Sequence, residues 1–177
     1  PTHYDVVINT DVLTAEQGLM LGRDAVNKAL ERNPSLAPAY GNLALFEGFI
    51  ERDLQAAARH IEQGLALDPT NLEVIGVACG VARRLGRMDL AIALCEYVVS
   101  RDPVNLDAYD SLALAYRYNG RLDDSVAAYR KVLSLGPDAG WEHTALGNVL
   151  LQKGDAQAAL AEYQKEPVES FRLGGLA

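Results

Sequence analysis

Prolines recur at a near-constant interval, and this feature constrains the fold of the chain more than any other. Pro34, Pro69, Pro103, Pro137 and Pro167 are separated by 35, 34, 34 and 30 residues. A period of this length is typical of proteins that stack copies of one supersecondary unit. Because proline cannot continue a helix, each proline is expected to mark the end of a unit. The chain is therefore predicted to contain four units, with fragments of further units at both ends.

The third full unit shows most clearly that each copy is a pair of helices. Four of its residues have the i, i+3, i+4, i+7 spacing of one helical face: Tyr109, Leu112, Ala113 and Tyr116. Gly120 then breaks this helix, since glycine tolerates the left-handed conformation at a C-terminal cap. Ser125, Tyr129 and Val132 follow at i, i+4 and i+7 and predict the inner face of a second helix.

The same register returns in the other units, with two irregularities. The unit ending at Pro69 carries one extra residue near positions 46–50 and has Arg52 where the others have glycine. The unit ending at Pro167 is short by about one helical turn. Small residues recur where the paired helices are predicted to approach closely, because side-chain size sets the distance between helices. They are Ala44, Cys79, Ala113 and Gly147 in first helices, and Ala57, Ala91, Ser125 and Ala159 in second helices.

These motifs resemble the tetratricopeptide repeat (TPR) family over about 130 residues. The unit ending at Pro167 carries the resemblance in Leu146-Gly147-Asn148, Gly154-Asp155, Ala158-Ala159 and Tyr163, together with the recurring Asp-Pro endings. Ile75 and His143 depart from the family pattern, which has an aromatic residue near the start of the first helix. The resemblance implies an all-α fold, a right-handed α-solenoid of antiparallel helix pairs forming a TPR superhelix.

The repeat pattern divides the chain within one domain of residues 1–177. Thr14-Ala-Glu-Gln17 is a capping-box pattern that opens a helix to about Arg32, whereas 3–13 fits either a degenerate helix or an extended tail. The predicted segments are a partial or degenerate repeat at 1–34, repeats at 35–69, 70–103 and 104–137, a shortened repeat at 138–167, and the truncated first helix of a further repeat at 168–177.

The segment from Tyr163 to Pro167, followed by Phe171-Arg172-Leu173, looks like repeat regions of multidomain bacterial signalling proteins. That resemblance implies a repeat region of a larger bacterial protein, which could be an enzyme or a transcription regulator. The other interpretation is a complete small protein whose end repeats stack against a second copy, giving a homo-oligomer. Both interpretations stay open.

Charge argues against two classes of partner. The chain has 16 basic and 24 acidic side chains, a formal net charge of −8. Nucleic acids and anionic membranes attract clustered Lys and Arg, so neither is an expected partner. The apolar residues are spaced rather than continuous, and the start of the chain lacks a signal-peptide pattern. A cytoplasmic location is the prediction.

The sequence also lacks the motifs of catalysis and cofactor binding. Phosphate-binding glycine loops, a nucleophile elbow and a calcium loop are absent, and three scattered histidines form no zinc pattern. We therefore predict no catalytic residues, no metal, no cofactor and no enzymatic activity. Cys79 and Cys95 fall at inner positions of facing helices, where they act as small apolar residues or form a disulfide or redox switch.

First helices line the inner wall of a helix-pair stack, and this wall is where such proteins bind partners. Arg and large aromatic residues dominate binding hot spots. We define the candidate groove as the Arg and aromatic residues that lie off the buried stripe of the first helices, together with polar residues of the same wall. These residues are Arg83, Arg84, Asp107, Asp110, Arg117, Tyr118, Trp141 and Asn148. The competing interpretation is that the arginines pair with Asp107 and Asp110 or solvate the ends of their helices.

The predicted function is a non-enzymatic scaffold that binds a protein or peptide in the candidate groove. Some family members clamp a peptide's terminal carboxylate with Lys and Asn on consecutive first helices. Here Asp110 and Thr144 are among the residues that replace the lysines, and only Asn148 matches, so a carboxylate-clamp ligand is disfavoured. The alternatives are a structural module that oligomerises through its end repeats and a regulatory repeat region of a parent protein.

Overall fold

A computed structural model describes residues 15–136, 141–169 and 174–175. Within those ranges the chain forms nine α-helices and one π-helical segment, and contains no strand. The helices are α1 (Ala15–Arg32), α2 (Ala37–Leu45), α3 (Leu54–Leu67), α4 (Leu72–Arg84), α5 (Met88–Arg101), α6 (Leu106–Tyr118), α7 (Leu122–Leu135), α8 (Glu142–Gln152) and α9 (Ala156–Lys165), with the π-helical segment Phe46–Glu51 between α2 and α3.

Some of the sequence predictions concern residues outside this description. They are the conformation of 3–13 and most of the C-terminal helix restart at 168–177. The helix predicted to end at about Arg32 is α1. None of the helices in the described ranges is long and apolar enough to cross a bilayer.

The chain divides into two compact units, Pro1–Val74 and Ile75–Ala177, and the division falls inside α4. The first unit holds α1, α2, the π-helical segment, α3 and the first residues of α4. The second unit holds the rest of α4 and α5 to α9. Each unit is described by itself.

In the first unit, the extra residue of the repeat is accommodated by the π-helical segment. The wider i→i+5 turn holds an additional residue without breaking the helix, and such insertions occur mostly as single turns. The segment ends at Arg52, whose φ of 62° is left-handed, the conformation that glycine takes at Gly120 with φ of 82°. Asp53 then caps α3, because its side chain accepts hydrogen bonds from the N–H groups of Gln55 and Ala56.

In the second unit, the helices pack through the small residues that the sequence singled out. Ala113 of α6 and Ser125 of α7 are completely buried, and the Ser125 hydroxyl donates to the Ala113 carbonyl at 2.8 Å. This bond satisfies a polar group in the core, where an unpaired hydroxyl would be costly. Gly147 of α8 lies so close to the Tyr163 ring of α9 that an added Cβ atom would overlap the ring. Apolar residues of α4 to α9 form one continuous core.

Cys79 of α4 and Cys95 of α5 are joined by a disulfide, with their Cα atoms 5.7 Å apart. Both side chains are fully buried in the core of the second unit. The two cysteines therefore form a disulfide and are not only small apolar residues. The bond links the first helix of a repeat to the second.

Candidate functional site

Arg83 and Arg84 occupy the last turn of α4. Arg83 is half-buried and its Nε has no hydrogen-bond partner, whereas Arg84 is exposed. Cationic side chains at a helix C-terminus are stabilised by the partial negative charge of the last carbonyl groups. That position accounts for the presence of basic residues here, but it leaves the buried Nε of Arg83 unsatisfied.

Four residues of the candidate groove lie on α6. Asp107 is exposed in the first turn, and Asp110 is half-buried one turn later with a buried Oδ1 that accepts no hydrogen bond. Near the end of the helix, Arg117 donates from Nε to Gln152 Oε1 at 3.2 Å, and Tyr118 keeps 60% of its surface exposed. Tyr118 is therefore the aromatic residue of the candidate groove that is open to a partner.

The pKa of Asp110 responds to the charges of several residues on this face. Burial raises the pKa of its carboxyl to about 6, and repulsion from Glu142 and Asp107 acts in the same direction, while attraction by Arg83 opposes it. Removal of an unpaired carboxyl group from water disfavours its charged form and so raises its pKa. The Asp110 carboxylate thus lacks the hydrogen bonds that would stabilise its charge, although the Arg83 guanidinium is close enough to attract it.

Tyr129 of α7 has a hydroxyl whose pKa is affected by the charge of Asp110. Its side chain is fully buried, and the buried Oη has no hydrogen-bond partner. Burial raises the pKa of the phenol, and the charge of Asp110 raises it further, with Arg117 and Arg83 opposing. These charges all belong to candidate-groove residues, so the hydroxyl end of this core side chain lies near the groove.

Two residues of α8 complete the face. Trp141 stands at the N-terminus of α8, half-buried, and its ring packs edge-on against Tyr129 with centroids 6.3 Å apart. Asn148 accepts a hydrogen bond from the Tyr163 hydroxyl at 3.0 Å, which ties it to α9. Thr144 lies between them on α8, and its buried Oγ1 has no partner.

The structure thus groups the predicted residues unevenly. Arg83, Asp107 and Asp110 interact through their charges, whereas Asn148 is engaged within the α8–α9 pair and Trp141 packs against the core. The arginines do not simply neutralise the aspartates, because Arg117 is bonded to Gln152 and burial outweighs the effect of Arg83 on Asp110.

Sequence reasoning missed one member of this face and undervalued another. Tyr129 fits the buried stripe of α7, and that position gives no indication of where the hydroxyl points. Thr144 has the same repeat register as Asp110, 34 residues earlier, which places the two on neighbouring first helices. We define the polar cluster as Arg83, Asp110, Tyr129 and Thr144.

Two buried glutamates border the polar cluster and are satisfied. Glu142 accepts a hydrogen bond from the Trp141 N–H at 2.9 Å, and burial raises the pKa of its carboxyl. Glu166 accepts from the N–H groups of Thr144 and Val168, at 3.1 and 3.2 Å. Carboxylates near a helix N-terminus interact favourably with its partial positive charge, so these two groups stabilise the N-terminus of α8. They also make the surroundings of the cluster electronegative.

The first unit contains a different surface feature, a cleft between α1 and the π-helical segment. Arg23 pairs there with Glu51, and Glu47, which is almost fully buried, accepts a bond from His60 Nδ1 at 2.7 Å if that nitrogen carries the proton. We call it the first-unit cleft; its lining includes Leu19, Met20, Arg23, Phe46, Ile50 and Glu51. Arg23 and Glu51 of this lining are paired with each other.

The described side chains do not assemble a metal-binding cluster. Groups of three or more His, Cys, Asp or Glu positioned to hold a metal ion are absent from the part of the chain that the structure describes. The polar cluster has no nucleophile and base in contact. What it offers chemically is a set of hydrogen-bond donors and acceptors beside an exposed, charged helix face.

Paired helices recurring at a 34-residue period define a helical repeat protein, and comparison with known proteins agrees with this class. The family model for the tetratricopeptide repeat matches residues 111–170. A comparison with curated proteins finds no match.

Several solved structures share the fold. The crystal structure of MamA has a TM-score of 0.68 at 21% identity and covers 87% of this chain and 86% of that chain. MamA 41-end from Desulfovibrio magneticus RS-1 has a TM-score of 0.70 at 21% identity and covers 88% and 96%. YrrB, described as a TPR protein with an unusual peptide-binding site, has a TM-score of 0.70 at 19% identity and covers 94% and 87%.

Residues 111–170 therefore match the tetratricopeptide repeat, and the fold of the chain is an all-α solenoid. The fold class predicted from the sequence and the family resemblance are both confirmed. Helix-pair repeats present extended surfaces to partners, which supports the predicted interaction scaffold.

Proposed function

We propose that the protein is a non-enzymatic module that binds an extended segment of a polypeptide partner on the candidate groove of its second unit. The observation that carries this proposal is the gathering of buried, unpaired polar atoms on that face, at Arg83, Asp110, Tyr129 and Thr144. Native proteins satisfy nearly all of their buried polar groups, so these four atoms need an explanation, and the one we propose is a partner bound on this face.

The composition of the face supports a polypeptide as the partner. Arg84 and Tyr118 are exposed beside the polar cluster, and Arg and Tyr are the residue types that anchor protein interfaces. Asp107 adds an exposed acidic group, so the face carries both signs of charge. A surface of mixed sign suits a polypeptide better than it suits a nucleic acid, whose phosphates favour basic surfaces alone. YrrB, which shares the fold, is described as having a peptide-binding site.

The location and context of the protein belong to the same proposal. We infer that it works in bacteria; the Cys79–Cys95 disulfide suits an oxidising compartment better than the cytoplasm that the sequence predicts. A regulatory role within a larger protein and self-association through the end repeats remain alternatives. Light scattering over a range of concentrations separates the last alternative, because self-association predicts a mass that rises with concentration and a binding module alone does not.

A peptide array tests the proposal. The wild type is compared with the double variant Arg84→Glu/Arg117→Glu on an array of varied extended peptides. Arg59→Glu/Arg130→Glu is the matched control, since it makes the same change of charge at exposed positions on the second helices α3 and α7. We expect the double variant to lose or alter its peptide preferences and the control to keep them. Unchanged preferences in the double variant would remove the candidate groove as the binding site.

A further inference from the structure

The first-unit cleft is an open cavity of about 400 Å³ between α1 and the π-helical segment. Its apolar lining comes from Leu19 and Met20 of α1 and from Phe46 and Ile50 of the π-helical segment. The tip of the Phe46 ring lies against Gly22, where an added Cβ atom would be 3.1 Å from Cζ of the ring. π-helical turns inside α-helices occur frequently at functional sites. The extra residue of this repeat thus belongs to the wall of an accessible cavity.

The apolar rim of the cleft is exposed to solvent. Met20 keeps 68% of its surface exposed and Ile50 keeps 41%, and Leu19 is exposed as well. A small molecule inside the cavity would leave these rim side chains in water. A larger partner laid across the opening would cover the rim and the cavity together, and apolar area removed from water contributes about 25 cal/mol per Å². The exposed rim therefore favours a macromolecular partner.

The charges around the cleft leave an excess of carboxylate. Arg23 pairs with Glu51, and its Nη2 lies 3.8 Å from Oε1 of the buried Glu47, so one guanidinium serves two acidic groups. Asp24 also lines the cleft, whereas its ion-pair partner Lys28 lies outside the lining. Lys or Arg residues of a partner would complement this rim. A second copy of the chain would bring the same acidic excess, and an anionic membrane would be repelled.

The lining also selects the conformation of the partner. An extended peptide carries unpaired N–H and C=O groups along its length, and a cleft lined largely by apolar side chains does not bond them. A helix bonds its own backbone groups and presents apolar residues at i, i+3 and i+4 along one face. Helix binding in an apolar groove is a common mode of recognition.

We propose that the first-unit cleft binds an amphipathic helix of a protein partner. An apolar residue of that helix enters the cavity between Met20 and Ile50, and Lys or Arg residues beside it face Asp24 and Glu51. This proposal concerns the first unit alone. It goes beyond the proposed function, which assigns an extended polypeptide to the candidate groove of the second unit.

Fluorescence anisotropy with three labelled peptides tests the proposal on the full chain. Each peptide has about 20 residues, enough to form a helix by itself. The first has a leucine face flanked by lysines, the second replaces these lysines by glutamates, and the third scrambles the first so that the leucine face is lost. We expect saturable binding of the lysine peptide, at least about 10-fold tighter than that of either other peptide.

Two pairs of variants locate the site. Asp24→Lys should weaken the lysine peptide roughly 3- to 10-fold and strengthen the glutamate peptide, because it reverses a charge of the lining. Glu31→Lys is its matched control, the same change at an exposed position of α1 outside the lining. Met20→Ser should weaken the lysine peptide roughly 5- to 30-fold by removing apolar contact area. Its control is Leu67→Ser, at an exposed leucine of α3 outside the lining.

Three results would overturn the proposal: no saturable binding of the lysine peptide, equal binding of the lysine and glutamate peptides, or wild-type binding by both Met20→Ser and Asp24→Lys. Loss of the lysine peptide from the Arg84→Glu/Arg117→Glu variant would also overturn it, because the peptide would then occupy the candidate groove. A mass of the protein that rises with concentration, and does not in Met20→Ser, would overturn it in favour of a second copy. The peptide array tests the candidate groove separately, so either proposal can fail without the other.

Discussion

The indole ring of Trp141 meets the phenol ring of Tyr129 edge-on, with the ring planes at 82° to each other. Edge-to-face aromatic pairs contribute about 0.5–1.5 kcal/mol beyond the area they bury. The contact joins the N-terminus of α8 to the inner face of α7. Trp141 therefore supports Tyr129, whose hydroxyl belongs to the polar cluster, in addition to any contact with a partner.

This relationship predicts different results for the two aromatic residues of the candidate groove. Trp141→Ala should lower the free energy of unfolding by about 2–4 kcal/mol, because it removes a ring packed against the core. Tyr118→Ala should change it by less than about 0.5 kcal/mol, because Tyr118 is mostly exposed. Urea denaturation measures both. Equal stability losses would contradict the packing role of Trp141.

Asp110→Asn should stabilise the protein in a pH-dependent manner. The pKa of Asp110 is raised from 3.8 to about 6, so the folded state binds this proton more tightly than the unfolded state does. Ionisation therefore costs stability above pH 6, and the cost disappears as the pH falls towards the unfolded value near 4. We expect the variant to exceed the wild type by about 1–3 kcal/mol at pH 8, with the difference shrinking through pH 6.

Urea denaturation of both proteins at several pH values checks this. Wild type and variant share every other titratable group, so the difference between them isolates Asp110. A stability difference that does not vary with pH would show that burial does not raise this pKa. A gain at neutral pH would also fit a residue kept for binding at the expense of stability.

Two Gly→Ala substitutions in first helices should act in opposite directions. In Gly147→Ala the new methyl group would overlap the buried Tyr163 ring, so the free energy of unfolding should fall by about 1–3 kcal/mol. In Gly76→Ala the methyl group meets no atom within 4 Å, and the helix should gain up to about 1 kcal/mol. Thermal denaturation distinguishes them. Similar effects at both sites would contradict the close approach of α8 and α9.

The Cys79–Cys95 disulfide closes a loop with a sequence separation of 16. Loop-closure entropy for a loop of this size predicts that reduction lowers the free energy of unfolding by about 3 kcal/mol. Denaturation with and without reductant measures the change, and a Cys79→Ala/Cys95→Ala variant, which should not respond to reductant, is the control. A wild type that is equally indifferent to reductant would show that the bond does not form in solution.

The periodic features of this fold could be predicted from the sequence. Leu112, Ala113 and Tyr116 were predicted as a buried stripe and are buried, because helical spacing and a 34-residue repeat fix which face meets the neighbouring helix. Ala57 and Ser125, predicted as small contact positions, are fully buried for the same reason. Such features depend on the local period, which the sequence carries directly.

The remaining features depend on distances between helices, which the period does not contain. The spacing of Tyr129 indicates a core residue, but the environment of its hydroxyl is set by α4, α6 and α8 together. The extra residue near Phe46 was evident, but its accommodation as a π-helical turn depends on the ends of α2 and α3. For the same reason, the approach of Cys79 to Cys95 could not be decided from positions alone.

The central claim is that the inner residues of the first helices in the second unit bind a polypeptide. Hydrogen exchange of the protein, alone and with a peptide selected from a random library, tests this most directly. The account predicts slower exchange in α6 and α8 and at the end of α4, with α1 and the outer helices α5 and α7 unchanged. Protection confined to the first-unit cleft, or to α5 and α7, would contradict it.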